Sequence, residues 1–342
     1  MTPVLQEFLL TLLKIVVMTQ VLLGLFSLMT LVERRVLAFM QFRLGPNRVG
    51  PFGLFQPIAD GIKLFFKEEL MPAAANAWAF FAAPIVAVTA AFMAIATVPY
   101  GPPFAIPFTG IRVNPQIADL DVGLLFIFAV TSLGVYSVVL AGWSANSKYS
   151  LLGGLRSSAQ MFSYELSLGM SFVGVIMLAG SFRISDIVAA QGGWLINWYV
   201  VKQPLAALVY FIAAAAEVSR TPFDLPEGET ELVAGYHTEY SSMKFALMQM
   251  AEYINMITVS VLTTNLFLGG WNPGLPGLPI GGLWGLVYFA AKVFFVLFVF
   301  IWLRGTLPRL RYDQLMHFGW KVLIPLAALN VLVTAALVTW AK

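Results

Sequence analysis

The sequence contains no cysteine among its 342 residues and only two histidines, His237 and His317. Without thiols the chain forms no disulfide and cannot ligate an iron–sulfur cluster of its own. The histidines fall at span ends in different connections, which does not suit a pair clasping a haem inside a bilayer. Charge is scarce as well. Asp, Glu, Lys and Arg make up 11% of the residues, whereas a soluble domain carries about a quarter. So few charges cannot cover a water-soluble globule. No glycine-rich phosphate loop, metal-ligand spacing or nucleophile triad is visible, so the chain alone does not read as a catalyst, and no metal site is expected.

Apolar residues supply 59% of the chain, and the mean hydropathy is +0.83. Uncharged runs of 18 residues (Ile15–Val32), 26 residues (Val122–Ser147) and 20 residues (Val322–Ala341) are long enough to cross a hydrocarbon core, which takes roughly 20. The pattern predicts an all-α integral membrane protein, a single polytopic domain over 1–342, with eight transmembrane helices. They fall at about 8–32, 78–98, 122–142, 160–181, 204–218, 240–268, 283–303 and 321–341. The first span is expected to persist, because Glu7 and the lack of any cation before Lys14 do not resemble a cleaved leader.

A pI near 9.0 and a net charge of +3 are explained by topology rather than by nucleic acid. Odd-numbered connections hold twelve Lys and Arg residues and even-numbered ones three, so the odd connections are expected in the cytoplasm and both termini on the other side. Within the first connection, Leu54, Phe55, Ile58, Ile62, Phe65 and Phe66 recur at helical spacing with Asp60, Lys63 and Lys67 between them. That stretch is too short to span. It predicts a cytoplasmic-side amphipathic helix lying at the membrane surface.

Three sets of charges need a reason. Glu33-Arg34-Arg35 ends the first span and is followed by Gly45-Pro46-Asn47-Arg48-Val49-Gly50-Pro51. Arginine at a span end is an ordinary topological anchor, but the Gly-Pro punctuation implies a fixed turn and a shaped surface. The fifth connection gathers Glu217, Asp224, Glu227, Glu229, Glu231 and Glu239 against Arg220 alone. A solvated acidic loop is the plain alternative; crowded carboxylates beside a membrane repel one another and are expected to exchange protons near neutral pH. Finally, Glu165 and Glu252 interrupt apolar spans. A buried carboxylate is costly, so each is expected either to bond another helix or to handle protons.

Taken together, Glu33-Arg34-Arg35, Gly45–Pro51, Gln56-Pro57-Ile58-Ala59-Asp60, Lys63–Glu68, the string from Glu217 to Leu232, Gly235–Ser241, Ala251-Glu252-Tyr253 and Arg309–Asp313 closely resemble the H-subunit family of bacterial proton-pumping NADH:quinone oxidoreductase (complex I), whose mitochondrial counterpart is NADH dehydrogenase subunit 1. The resemblance covers essentially the whole chain. It implies a subunit of the bacterial cytoplasmic membrane that binds quinone as substrate. Flavin and iron–sulfur clusters would sit in partner subunits of a peripheral arm, with small and antiporter-like membrane subunits alongside and no nucleic acid involved. It implies that Glu33, Arg34, Arg35, Gln56, Asp60 and Lys63 lie at the entrance and wall of a quinone chamber, and that Phe223, Asp224, Glu227, Glu229 and Glu231 surround its inner end. Glu165, Glu217, Glu239 and Glu252 would relay protons. Related membrane-bound hydrogenases use a homologous subunit without quinone, and that reading stays open here. A free-standing secondary transporter is a third, against which no inverted repeat or paired broken span is visible.

Overall fold

A computed structural model describes residues 3–105, 112–226, 233–279 and 281–340. Its helices are α1 (Pro3–Met40), α2 (Gln56–Phe65), α3 (Ala77–Ala94), α4 (Gly123–Ser144), α5 (Lys148–Ala179), α6 (Ile184–Ala189), α7 (Tyr199–Lys202), α8 (Pro204–Glu217), α9 (Ser242–Phe267), α10 (Leu283–Thr306), α11 (Tyr312–Phe318) and α12 (Ile324–Trp340). Strands β1 (Phe104–Ala105) and β2 (Arg112–Val113) pair antiparallel in one short ribbon. Among the described residues seven helical stretches are long and apolar enough to cross a membrane. Their outward faces carry large apolar side chains such as Leu332 and Leu13, 69% and 57% exposed, the inverse of a water-soluble surface. The remaining apolar helix, α8, has 14 residues. It starts at Pro204, whose ring suits the first helical position, and Gln203 in a non-helical conformation separates it from α7.

Several helices outrun their apolar cores. α1 continues eight residues past the sequence estimate of 32, carrying Glu33, Arg34 and Arg35 on its last turns. α5 begins at Lys148, twelve residues before the estimate of 160. The charges that looked like loop residues are therefore held on helices.

At the centre lies α5, packed against α4, α8 and α12, while α3 packs on α4 and α9. Its buried face is built of small or short side chains, including Gly153, Gly154, Ser157, Ser163, Ser167, Ser171 and Gly174. Where lipid replaces water, helices associate by close packing, and small residues let backbones approach. Gly154 and Gly142 do this directly: a Cβ added to Gly142 would stand 3.0 Å from the Gly154 Cα. Gly153 faces the Gly235–His237 turn, and a Cβ there would stand 2.6 Å from the Gly235 carbonyl carbon.

Candidate functional site

Two cavities meet at the turn Gly235–His237. The smaller, about 50 Å³, lies between α3, α4, α5, α8 and α9 and is lined by Glu165, Glu217, Glu252, Tyr236, Asn255, Thr131 and Ser137, among apolar groups. A water needs roughly 10–15 Å³, so the space suits a short cluster of waters. Glu165 enters from α5 and accepts a short hydrogen bond from the Ser132 hydroxyl on α4. Glu217 closes α8. Gln160, fully buried on α5, donates from its side-chain amide to the carbonyls of Ala216 and Phe223, each at 2.7 Å, and so fixes the end of that helix and the turn beyond it. Glu252 enters from α9. The Tyr236 hydroxyl donates to its Oε1 at 3.0 Å.

The larger cavity, about 600 Å³, opens between α1, α2 and α9, with Arg304 of α10 at its side. Arg34 and Asp60 line it together with Phe26, Leu64, Phe245, Tyr253 and His237. Arg34 Nη1 lies 2.6 Å from Asp60 Oδ2, and Gln56 Nε2 donates to Asp60 Oδ1 at 3.1 Å. One position earlier on the same helix, Glu33 is 4% exposed and outside the cavity lining. It accepts a short hydrogen bond from Arg304 and stands 3.5 Å from Arg220 Nη1. Arg220 in turn lies over the Tyr253 ring at 4.4 Å. A buried carboxylate is tolerable only when paired, and Glu33 satisfies that with two guanidinium groups.

Glu252 joins the two cavities. Its Oε1 bonds Tyr236 on the small-cavity side and stands 3.7 Å from His237 Nε2 on the large-cavity side. The second distance is an ion-pair separation rather than a hydrogen bond. His237 is 4% exposed, between the rings of Tyr236 and Phe245.

The structure thus brings Glu165, Glu217 and Glu252 together, and separately Arg34, Gln56 and Asp60. Arg35 packs against Gly45 and Lys63 is exposed; neither lines the large cavity. Phe223 is buried against Tyr164, and Asp224 is half-buried on the same turn; neither lines either cavity. Glu239 sits in the turn before α9, again outside both linings. Glu227, Glu229 and Glu231 lie outside the described residues.

Sequence reasoning gave no role to Tyr236, His237, Arg304, Ser132 or Gln160. It also passed over two lysines, Lys292, which is half-buried, and Lys244, which is buried. Lys292, on α10, donates to the carbonyls of Leu268, Gly270 and Asn272 at 2.5–2.9 Å and closes the end of α9. Lys244 opens α9. A cation inside an apolar run was the available signal for both.

On the face where α3 joins α4, Arg183 grips Asp119 through two hydrogen bonds, one of them Nε to Oδ1 at 2.9 Å. That contact holds the Asp119 carboxyl below the usual range, against the opposing effect of partial burial.

Fold and site define a helical, membrane-embedded protein with a buried carboxylate cluster beside a large polar-walled cavity. Comparison with known proteins agrees in class. The sequence pattern of the NADH dehydrogenase family matches residues 13–335, and the chain belongs to that family. It is 53% identical over 335 residues to an H subunit of the NADH-quinone oxidoreductase of Geobacter metallireducens, covering 98% of each chain. It is 50% identical over 331 residues to the corresponding H subunit of Thermomicrobium roseum, covering 95% of this chain and 94% of that one. Against the H subunit of Deinococcus radiodurans the identity is 49% over 343 residues, with 98% and 85% covered.

Proposed function

We propose that this chain is the membrane subunit of a proton-pumping NADH:quinone oxidoreductase that forms part of the quinone chamber and passes the effect of quinone reduction to buried carboxylates. The observation that carries the reading is the bridge at Glu252, whose one oxygen reaches groups of both cavities. Quinone, an amphipathic molecule, suits a cavity with apolar walls at Phe26, Leu64 and Phe245 and a fixed ion pair at Arg34 and Asp60. Reduction of quinone to quinol takes up two protons with two electrons. A charge change beside His237 acts on Glu252 across 3.7 Å, and Glu252 shares its cavity with Glu165 and Glu217. Carboxylates grouped in an apolar setting interact strongly, so a proton gained or lost at one bears on the others and can pass among them.

In this reading α8, short as it is at 14 residues, is the eighth span. α2 lies flat at the cytoplasmic surface, with Ile58, Ile62 and Phe65 outward and Pro57, Asp60 and Leu64 toward the cavity. The domain is single, both termini face away from the cytoplasm, and the host is the bacterial inner membrane. Flavin and iron–sulfur clusters belong to peripheral-arm subunits, as the relatives' name, NADH-quinone oxidoreductase, fits. Antiporter-like and small membrane subunits and lipid cover the rest. This chain binds no redox cofactor of its own.

A photoreactive short-chain quinone tests the reading in the assembled complex. Attachment within peptides carrying 57–64 and 245–253, suppressed by excess quinone, is expected. Attachment confined to other subunits or to lipid-facing helices contradicts it.

A further inference from the structure

Lys244, close to the start of α9, is 6% exposed although it is charged. Its Nζ stands 2.5 Å from a carboxylate oxygen of Glu69 in the segment that follows α2. The same ammonium lies 3.6 Å from the centre of the Phe81 ring and 4.8 Å from that of Phe80, both at the start of α3. Aromatic faces attract a cation, and more strongly where water is excluded. Phe80 is itself fixed by stacking on Tyr240, ring centres 4.1 Å apart. One lysine therefore joins three elements: the segment after α2, α3 and α9.

Two neighbours pull in the same direction. The Ser241 hydroxyl accepts from the Leu70 amide at 3.0 Å and donates to the Glu68 carbonyl at 3.3 Å. The Ser242 hydroxyl donates to the Leu64 carbonyl at 3.0 Å. Ser242 does so from a left-handed backbone, φ 56°, which a non-glycine residue adopts only when its surroundings over-determine it. Residues 64–70 are otherwise exposed or half-buried. These contacts, all at one end of α9, hold that segment against it. Leu64 and Gly61 on one side and Phe245 and Ala246 on the other line the large cavity.

We infer that Lys244 is a positioning residue: through Glu69 it latches the end of α2 onto the start of α9 and sets the width of the large cavity between those helices. The latch itself stands on geometry alone; its effect on quinone rests on the function proposed above. Lys244 is not among the cavity-lining residues, so it acts by placing others.

The native chain has no cysteine, so a single Leu64→Cys substitution reports the width as a maleimide-labelling rate on this subunit in the assembled complex. Adding Lys244→Met, which keeps length and removes charge, is expected to raise that rate several-fold, and Lys244→Arg is expected to restore it. Should the Met variant fail to assemble, Glu69→Gln, at a side chain 53% exposed, carries the same expectation. Unchanged labelling in the assembled charge-removing variant overturns the latch, whatever the activity. The KM for short-chain quinone, read beside it, is expected to rise with kcat nearly kept. Faster labelling with an unchanged KM leaves the latch standing and removes the quinone assignment of the cavity.

Discussion

Tyr236 and Glu252 are joined by a 3.0 Å hydrogen bond, and Tyr236 comes from a turn that no apolar span contains. Because the adjacent His237 faces the large cavity, this turn is the wall between the two cavities. Tyr236→Phe keeps the ring and removes the donor. In the assembled complex it is expected to weaken proton translocation more than quinone reduction, since Glu252 loses the partner that orients it. A lost neutral hydrogen bond costs about 1 kcal/mol, and one to a buried carboxylate more. Unchanged pumping per NADH oxidised would show that the bond is only structural.

Gly153 sets the position of that turn. Alanine there places a Cβ 2.6 Å from the Gly235 backbone, where no side chain can swing away. Overpacking of this kind typically costs about 1–3 kcal/mol. Gly153→Ala is expected to lower the temperature at which the purified complex loses activity, and to reduce coupled activity. Gly169→Ala is the control on the same helix, because nothing lies within 4 Å of its added Cβ. Equal behaviour of the two variants would refute the close-packing account.

Glu33 is shared by Arg220 and Arg304, with side chains 7% and 28% exposed. Breaking a buried ion pair costs on the order of 3–5 kcal/mol when burial is complete and less for the half-open Arg304. Glu33→Gln is therefore expected to impair assembly more than Arg34→Ala, whose side chain is 52% exposed. Immunoblots of membranes for the full complex would decide it.

The Asp119–Arg183 pair predicts a pH dependence of stability. Its carboxyl is held below the ordinary value, so the pair's stabilisation is fully present above the unfolded pKa of about 4 and fades as pH falls through the lowered folded value. Stability of Asp119→Asn relative to the native chain should then be independent of pH from neutrality down to about 5. A difference that grows between neutrality and about pH 5 would contradict this assignment.

Much of this was legible in the sequence. Apolar runs located the seven long spans, and the cost of burying Glu165 and Glu252 marked them before any contact was visible. Helix ends were less legible, because charge was read as the edge of the membrane. Glu33 stays on α1 because its partners Arg220 and Arg304 arrive from 187 and 271 residues away. The start of α5 was hidden for a different reason: Gly153, Gly154 and the serines near them look like a loop in one dimension and are a packing face in three. α8 is cut to 14 residues because Pro204 opens it after the non-helical Gln203, and that break from α7 is not marked by the apolar pattern. His237 was weighed in the sequence only as a haem ligand, since its place between the cavities depends on the turn fixed by Gly153.

Coupling of the two cavities through Glu252 is decided by proton translocation in sealed vesicles carrying the Glu252→Gln complex. Glutamine keeps the shape and removes the titrating proton. The assembled variant, confirmed by immunoblot, is expected to pump far fewer protons per NADH oxidised than the native complex. Native proton stoichiometry in that assembled variant would contradict the coupling.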